Sequence, residues 1–205
     1  FDSIPNTWYK MRDILLFWAA KGIDGFRCDM AEMVPVEFWH WVIKEVKEQY
    51  PDITFIAEIY NPQQYHNYLS YGGFTYLYDK VGLYDTLRRL IEGHGNAEDI
   101  TRVWQQESGA FSDRMLRFLE NHDEQRIASS FFANDAFKAL PALVLSATLH
   151  GGPILVYNGQ ELGVKAAEAE GFQGNDGRST IFDYWGIQEL QAWTNNKQYD
   201  GLLLT

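Results

Sequence analysis

The sequence predicts an α/β fold with strands paired in parallel. Two observations carry this expectation. Short β-prone runs alternate along the chain with segments whose apolar residues recur at helical spacing. In such an alternation the helices serve as crossovers between neighbouring parallel strands. A third observation concerns where chemistry would sit. Several runs close on charged residues, and parallel α/β folds gather functional groups at the C-terminal ends of their strands.

The elements follow in order. Residues 7–20 carry Trp8, Met11, Leu15, Trp18 and Ala19 at helical spacing, and Gly22 follows as the helix stop. Residues 23–29 read as the first strand. Pro35 stands where the next helix begins, over 36–49. Pro51-Asp52 turns the chain into a second strand, 53–58. Asn61-Pro62 opens a helix to about residue 70, and Gly72-Gly73 leads into a third strand, 74–78. Residues 80–93 and 97–107 have helical spacing. A fourth strand covers 115–120. An apolar helix follows over 134–149, with Pro141 expected as a kink. Gly151-Gly152-Pro153 leads to the last strand, 154–157. No glycine-rich phosphate loop follows a strand, which argues against nucleotide binding. At this point a doubly wound sheet and a barrel are both open.

Composition narrows the function classes. The chain has 205 residues, of which 46% are hydrophobic and 16% aromatic, enough for a packed core and too many for a disordered chain. Seventeen basic residues against 28 acidic ones leave a net charge of −11. A surface so acidic argues against nucleic acid as a partner. No apolar run approaches the roughly 20 residues that span a bilayer, so no membrane partner is expected. The lone Cys28 cannot form an internal disulfide.

The strand ends hold the candidate chemistry. Arg27 and Asp29 are two residues apart and so share a strand face. A guanidinium there would favour the ionised carboxylate, as a nucleophile requires; a purely structural pair has the same spacing. Cys28 between them points to the helix layer and reads as a small buried apolar residue. Glu58 closes an apolar strand. It is either a partly desolvated general acid or a side chain emerging into solvent. Glu120-Asn121-His122-Asp123 is either an ordinary loop or a catalytic cluster. Taken together, Asp29, Glu58 and Asp123 would be carboxylates at the ends of separate strands. Glycosidic bond cleavage needs such a set: one carboxyl group protonates the leaving oxygen while another attacks or stabilises the anomeric carbon. Thiol, zinc-protease and serine-hydrolase motifs (CxxC, HExxH, GxSxG) are missing.

Gly25-Phe-Arg-Cys-Asp29, Ile56-Ala-Glu58 and Phe118-Leu-Glu-Asn-His-Asp123 resemble signature segments of the α-amylase family, glycoside hydrolase family 13, in that family's order. Gly152-Pro153 with Tyr157-Asn-Gly-Gln-Glu161 resembles the segment around its last barrel strand, and 176–183 the loop that follows. The resemblance implies a parallel (β/α)8 barrel of the TIM type that acts on α-glucosidic bonds of oligo- or polysaccharides with retention. It makes Asp29 the nucleophile, Glu58 the general acid/base and Asp123 the stabiliser that binds sugar hydroxyls. Arg27 would orient Asp29, and His122 would hydrogen-bond the sugar at the cleavage site. In a double displacement the two reacting carboxyl groups lie about 5–5.5 Å apart.

This sequence also departs from the family pattern. Where many members place a Lys-His pair after the nucleophile, Glu32 and Met33 stand here, so the leaving side differs. The family's Asp-x-x-x-Asn-His segment and the long loop that supplies calcium ligands are not found. No cofactor or metal is therefore assigned to these residues; calcium would belong to that missing loop. Tyr60, Tyr157 and Trp185 are candidate platforms for sugar rings, with core packing as the general explanation for aromatics. The strands match the fourth to the eighth of the barrel, and the chain opens on Phe1. The expectation is a partial barrel over 1–205, without strands one to three, with an open sheet edge that an oligomer could cover. Carbohydrate is the expected partner. The family has secreted, periplasmic and cytoplasmic members, so the compartment is open. A transglycosylase or isomerase, a non-catalytic relative and an inert fragment are the competing readings.

Overall fold

The computed structural model describes residues 3–166, 175–181 and 186–196. Its strands are β1 (Gly25–Cys28), β2 (Thr54–Ala57), β3 (Tyr76–Tyr78), β4 (Met115–Phe118) and β5 (Ile154–Leu155). Every pairing is parallel and follows chain order: β1 with β2, β2 with β3, β3 with β4 and β4 with β5. The α/β class and the parallel pairing are as the alternation predicts. The described helices are α1 (Asn6–Ala19), α2 (Val36–Gln49), α3 (Asp85–Ile91), α4 (Glu98–Arg102), α5 (Leu140–Thr148) and α6 (Gln188–Asn196). None is long and apolar enough to cross a membrane.

The chain forms two compact units. The first runs to Val81 and takes in Arg114–Leu116, so it holds β1, β2, β3 and the start of β4. Its helix α2 buries Phe38, Trp39, Val42, Ile43 and Val46, the stripe that its period requires. Helix α1 lies against α2: Trp8 meets Phe38 edge-on at 5.3 Å, and Arg12 pairs with Glu45 at 3.2 Å. Gly25 permits close pairing of β1 with β2, because a Cβ there would lie 2.6 Å from the Thr54 carbonyl oxygen. Phe55, Ala57, Phe74 and Leu77 are fully buried beneath the helices. Arg114 donates to the carbonyls of Thr75 and Phe74 and fixes the entry to β3.

The second unit holds Gly82–Asp113 and the described residues from Arg117 onward, where the last half of β4 pairs with β5. Its core gathers Leu83, Leu87, Val103, Leu119, Ile127, Phe132 and Ala139.

Several elements differ from the expectation. Residues 61–70 form a 3₁₀ turn, Pro62–Gln64, and a π turn, Asn67–Tyr71, rather than an α-helix. Pro62 sits in the first turn, where its missing N–H is harmless, and Asn61 caps that turn through Gln63 N–H. Residues 80–93 and 97–107 are each part π turn and part α-helix. Pro141 does not kink a long helix. It lies in the first turn of α5, after the 3₁₀ turn Ala136–Ala139. The last strand is only Ile154–Leu155, since the Tyr157 N–H donates to the Gln160 side chain at 3.1 Å instead of a ladder partner.

Candidate active site

In the first unit, β1 delivers Arg27 and β2 leads directly into Glu58. Arg27 donates from Nη1 to Asp29 at 2.5 Å, and its Nη2 lies 3.3 Å from Glu58. One guanidinium therefore holds both carboxylates. A third strand fixes the guanidinium itself: Nε donates to the Tyr78 hydroxyl at 3.0 Å, and the group lies over the Tyr78 ring. Partial burial works to lower the Arg27 pKa, but the bonds to Tyr78 and Asp29 and the charge of Glu58 outweigh it and raise it. The Asp29 side chain is 71% exposed, open to an incoming group.

Glu58 is buried, and its carboxylate is well supplied with donors. Met30 N–H donates to Oε2 at 2.7 Å and the Tyr60 hydroxyl to Oε1 at 2.8 Å. Met30 reaches it from a left-handed backbone (φ 43°), a conformation costing about 1–2 kcal/mol for a non-glycine residue. The strain is offset by satisfying a buried carboxylate. Of the two readings of Glu58 that the sequence left open, emergence into solvent is removed.

Cys28 faces away, is buried, and has its thiol pushed up to about 12 by that burial. Glu32 turns back onto the chain and accepts the Tyr60 and Asn61 N–H groups at 3.2 and 3.1 Å. Beside it Met33 is 72% exposed. Met30, Glu32, Met33, Glu58 and Tyr60 line a small cavity.

In the second unit the polar run after β4 divides. Glu120 and Asn121 are buried and structural. Asn121 Oδ1 accepts the Asp123 and Glu124 N–H groups at 2.8 and 2.9 Å. Glu120 accepts Arg126 Nη1 at 3.0 Å and Ile127 N–H at 2.6 Å. Burial raises the Glu120 pKa against the pull of Arg126. His122 and Asp123 are half-exposed and 3.0 Å apart through Nε2 and Oδ2.

Two arginines missed by sequence reasoning brace this loop. Arg126 also donates to the Asn158 carbonyl and to Ser179, at 2.9 and 2.8 Å. Arg178 donates to the Asp123 carbonyl at 2.6 Å and to Asp176 at 2.9 Å. Arg126 also lies over the Tyr157 ring, 4.2 Å from its centroid, so one face of that expected sugar platform is already occupied. Arg178 lies within the 176–183 segment that the resemblance singled out; nothing local marked Arg126. The other expected platform, Trp185, and residues 182–183 lie outside the described residues. No cluster of three or more His, Cys, Asp or Glu suited to a metal ion occurs among the described residues.

Parallel strands in chain order with functional side chains at their C-terminal ends are the arrangement of a TIM-barrel type of α/β fold. The comparisons with known proteins agree. The family model described as "Alpha amylase, catalytic domain" matches residues 3–197, and the chain belongs to the α-amylase family. An alpha-1,4-glucan:maltose-1-phosphate maltosyltransferase of Cereibacter sphaeroides is 31% identical over 93% of this chain and 29% of its own length. Neopullulanase 2 of Thermoactinomyces vulgaris is 28% identical over 80% of the chain and 28% of its own. The chain thus spans less than a third of these relatives. Among solved structures, the cyclic alpha-maltosyl-(1→6)-maltose hydrolase of Arthrobacter globiformis in complex with maltose superposes with a TM-score of 0.74 at 23% identity, over 98% of this chain and 43% of that one. That likeness concerns the fold, and the five parallel strands are part of the α-amylase barrel.

Proposed function

We propose that this chain carries the reacting carboxylates of a retaining enzyme that cleaves or transfers α-glucosidic bonds. The observation behind the reading is the guanidinium of Arg27, which holds Asp29 and Glu58 together at adjacent strand ends. Asp29 attacks the anomeric carbon while Glu58 gives its proton to the departing glycosidic oxygen, leaving a glycosyl ester on Asp29. Glu58, now a carboxylate, takes a proton from an incoming hydroxyl, which breaks the ester and restores both groups. Arg27 aims Asp29. Asp123 and His122 are assigned to the sugar hydroxyls, and Tyr60 to the neighbourhood of Glu58. α-Glucan is the substrate class that the family membership favours.

The incoming hydroxyl decides between hydrolysis and transfer. Glu32 is committed to backbone amides, so the leaving side presents Met30 and Met33 rather than a charged pair. That supports an acceptor preference unlike that of an endo-acting starch hydrolase.

The test is to trap the ester. The whole protein, treated with 5-fluoro-α-glucosyl fluoride, gains one glycosyl mass on the peptide containing Asp29, and Asp29→Asn abolishes both adduct and turnover. An adduct elsewhere, or equal activity of the variant, sinks the assignment. Product analysis on maltotriose and on maltose 1-phosphate with a glucan acceptor then separates hydrolase from transferase.

A further inference from the structure

Tyr60 was expected to offer its ring to a sugar. Its contacts give it other work. The hydroxyl donates to Glu58 Oε1 at 2.8 Å, while the Tyr60 and Asn61 N–H groups both donate to the Glu32 carboxylate. Glu32 is itself held, since its carbonyl accepts the Tyr68 hydroxyl at 3.3 Å. The segment after β2 is thereby stapled to the turn after β1, and the staple aims one hydroxyl at one carboxylate oxygen. The other oxygen of Glu58 is taken by Met30 N–H.

We propose that Tyr60 is a positioning residue, held by Glu32, whose hydroxyl fixes the orientation of the Glu58 carboxyl group. This rests on the reading of Glu58 as the acid/base. The groups facing Glu58 are Arg27 from β1, the Met30 amide and Glu32 from the following turn, and Tyr60 itself. Lys80 after β3 reaches the Tyr60 ring, 5.9 Å from its centroid. Of these donors, only Tyr60 can lose its bond to Glu58 through the deletion of a single oxygen.

A misaimed acid costs rate only where the leaving group needs a proton. Tyr60→Phe should therefore lower kcat on maltotriose by about tenfold, with KM nearly unchanged and little loss on α-maltosyl fluoride. Glu32→Ala, which releases the Tyr60 and Asn61 amides, should act in the same direction. The double variant should lose no more than Tyr60→Phe alone, because both act through one hydrogen bond.

The experiment measures kcat and KM on maltotriose and on α-maltosyl fluoride with the whole protein, these variants and Glu58→Ala. An unchanged kcat on maltotriose in Tyr60→Phe, or an equal loss on both substrates, overturns the proposal. Additive losses in the double variant overturn the role of Glu32. Glu58→Ala separates the two levels of inference. If it is crippled on maltotriose but active on the fluoride, whose departure needs no proton, the acid/base reading stands whatever Tyr60→Phe does. If it cleaves maltotriose like wild type, that reading falls, and the proposal with it.

Discussion

Replacing Arg126 with Met should be among the most damaging changes in the second unit. Arg126 and Glu120 are each only 1% exposed at the side chain and meet at 3.0 Å. The substitution removes the bonds to Glu120, Ser179 and Asn158, while Ile127 N–H still donates to the buried carboxylate. Stranding one member of a buried ion pair costs about 3–5 kcal/mol. Replacing both members by apolar residues of similar volume, as in Arg126→Met with Glu120→Leu, should recover most of it. The pH dependence has a definite sign. Burial already raises the Glu120 pKa from its ordinary 4.5, and loss of Arg126 raises it further. An acid with a raised folded pKa loses folded-state stability as pH climbs above the unfolded value. The deficit of Arg126→Met relative to wild type should thus be smallest below about pH 4.5 and grow toward neutrality. Denaturant unfolding of the whole protein at acid and neutral pH measures it. A loss under 1 kcal/mol, or one that is the same at both pH values, would refute the argument.

Other outcomes follow from single contacts. Gly25→Ala places a Cβ 2.6 Å from the Thr54 carbonyl oxygen and should cost about 1–3 kcal/mol in the same unfolding assay. Cys28, with its thiol pushed up to about 12, should resist iodoacetamide at pH 8 in the native protein and react once unfolded. Fast native alkylation would contradict its burial. Arg178→Ala frees the Asp123 carbonyl and should lower kcat/KM on maltotriose by about ten- to a hundredfold, with a much smaller loss of stability. An unchanged rate would remove Arg178 from the support of that loop.

The chain's periodicities carried much of the fold. Alternation of period 2 and period 3.6 located the strands and the long helices α1 and α2, and hence the parallel pairing. The face rule for strands put Arg27 with Asp29 and sent Cys28 the other way, both as observed. These features depend on neighbours a few residues away. Short irregular pieces were less legible. The π turns at Asn67–Tyr71 and Lys80–Tyr84 share the apolar spacing of a helix, and only the packing around them decides their hydrogen-bond pattern.

The candidate site shows the same division. Motif and strand position were enough to nominate Asp29, Glu58, His122 and Asp123, and to count Glu120 and Asn121 among the polar residues after β4. They could not say that Glu120 would be buried against Arg126 while Asp123 remained half-exposed. Nor could they say that Glu32 would bind the amides of residues 28 and 29 positions further on. By itself the sequence determined which chemical groups reach the strand ends, because side-chain direction along a strand is a local property. Only the tertiary structure decided which donor each carboxylate receives. Those bonds join segments far apart in the chain, and their geometry is set by strand register and by the path of each loop.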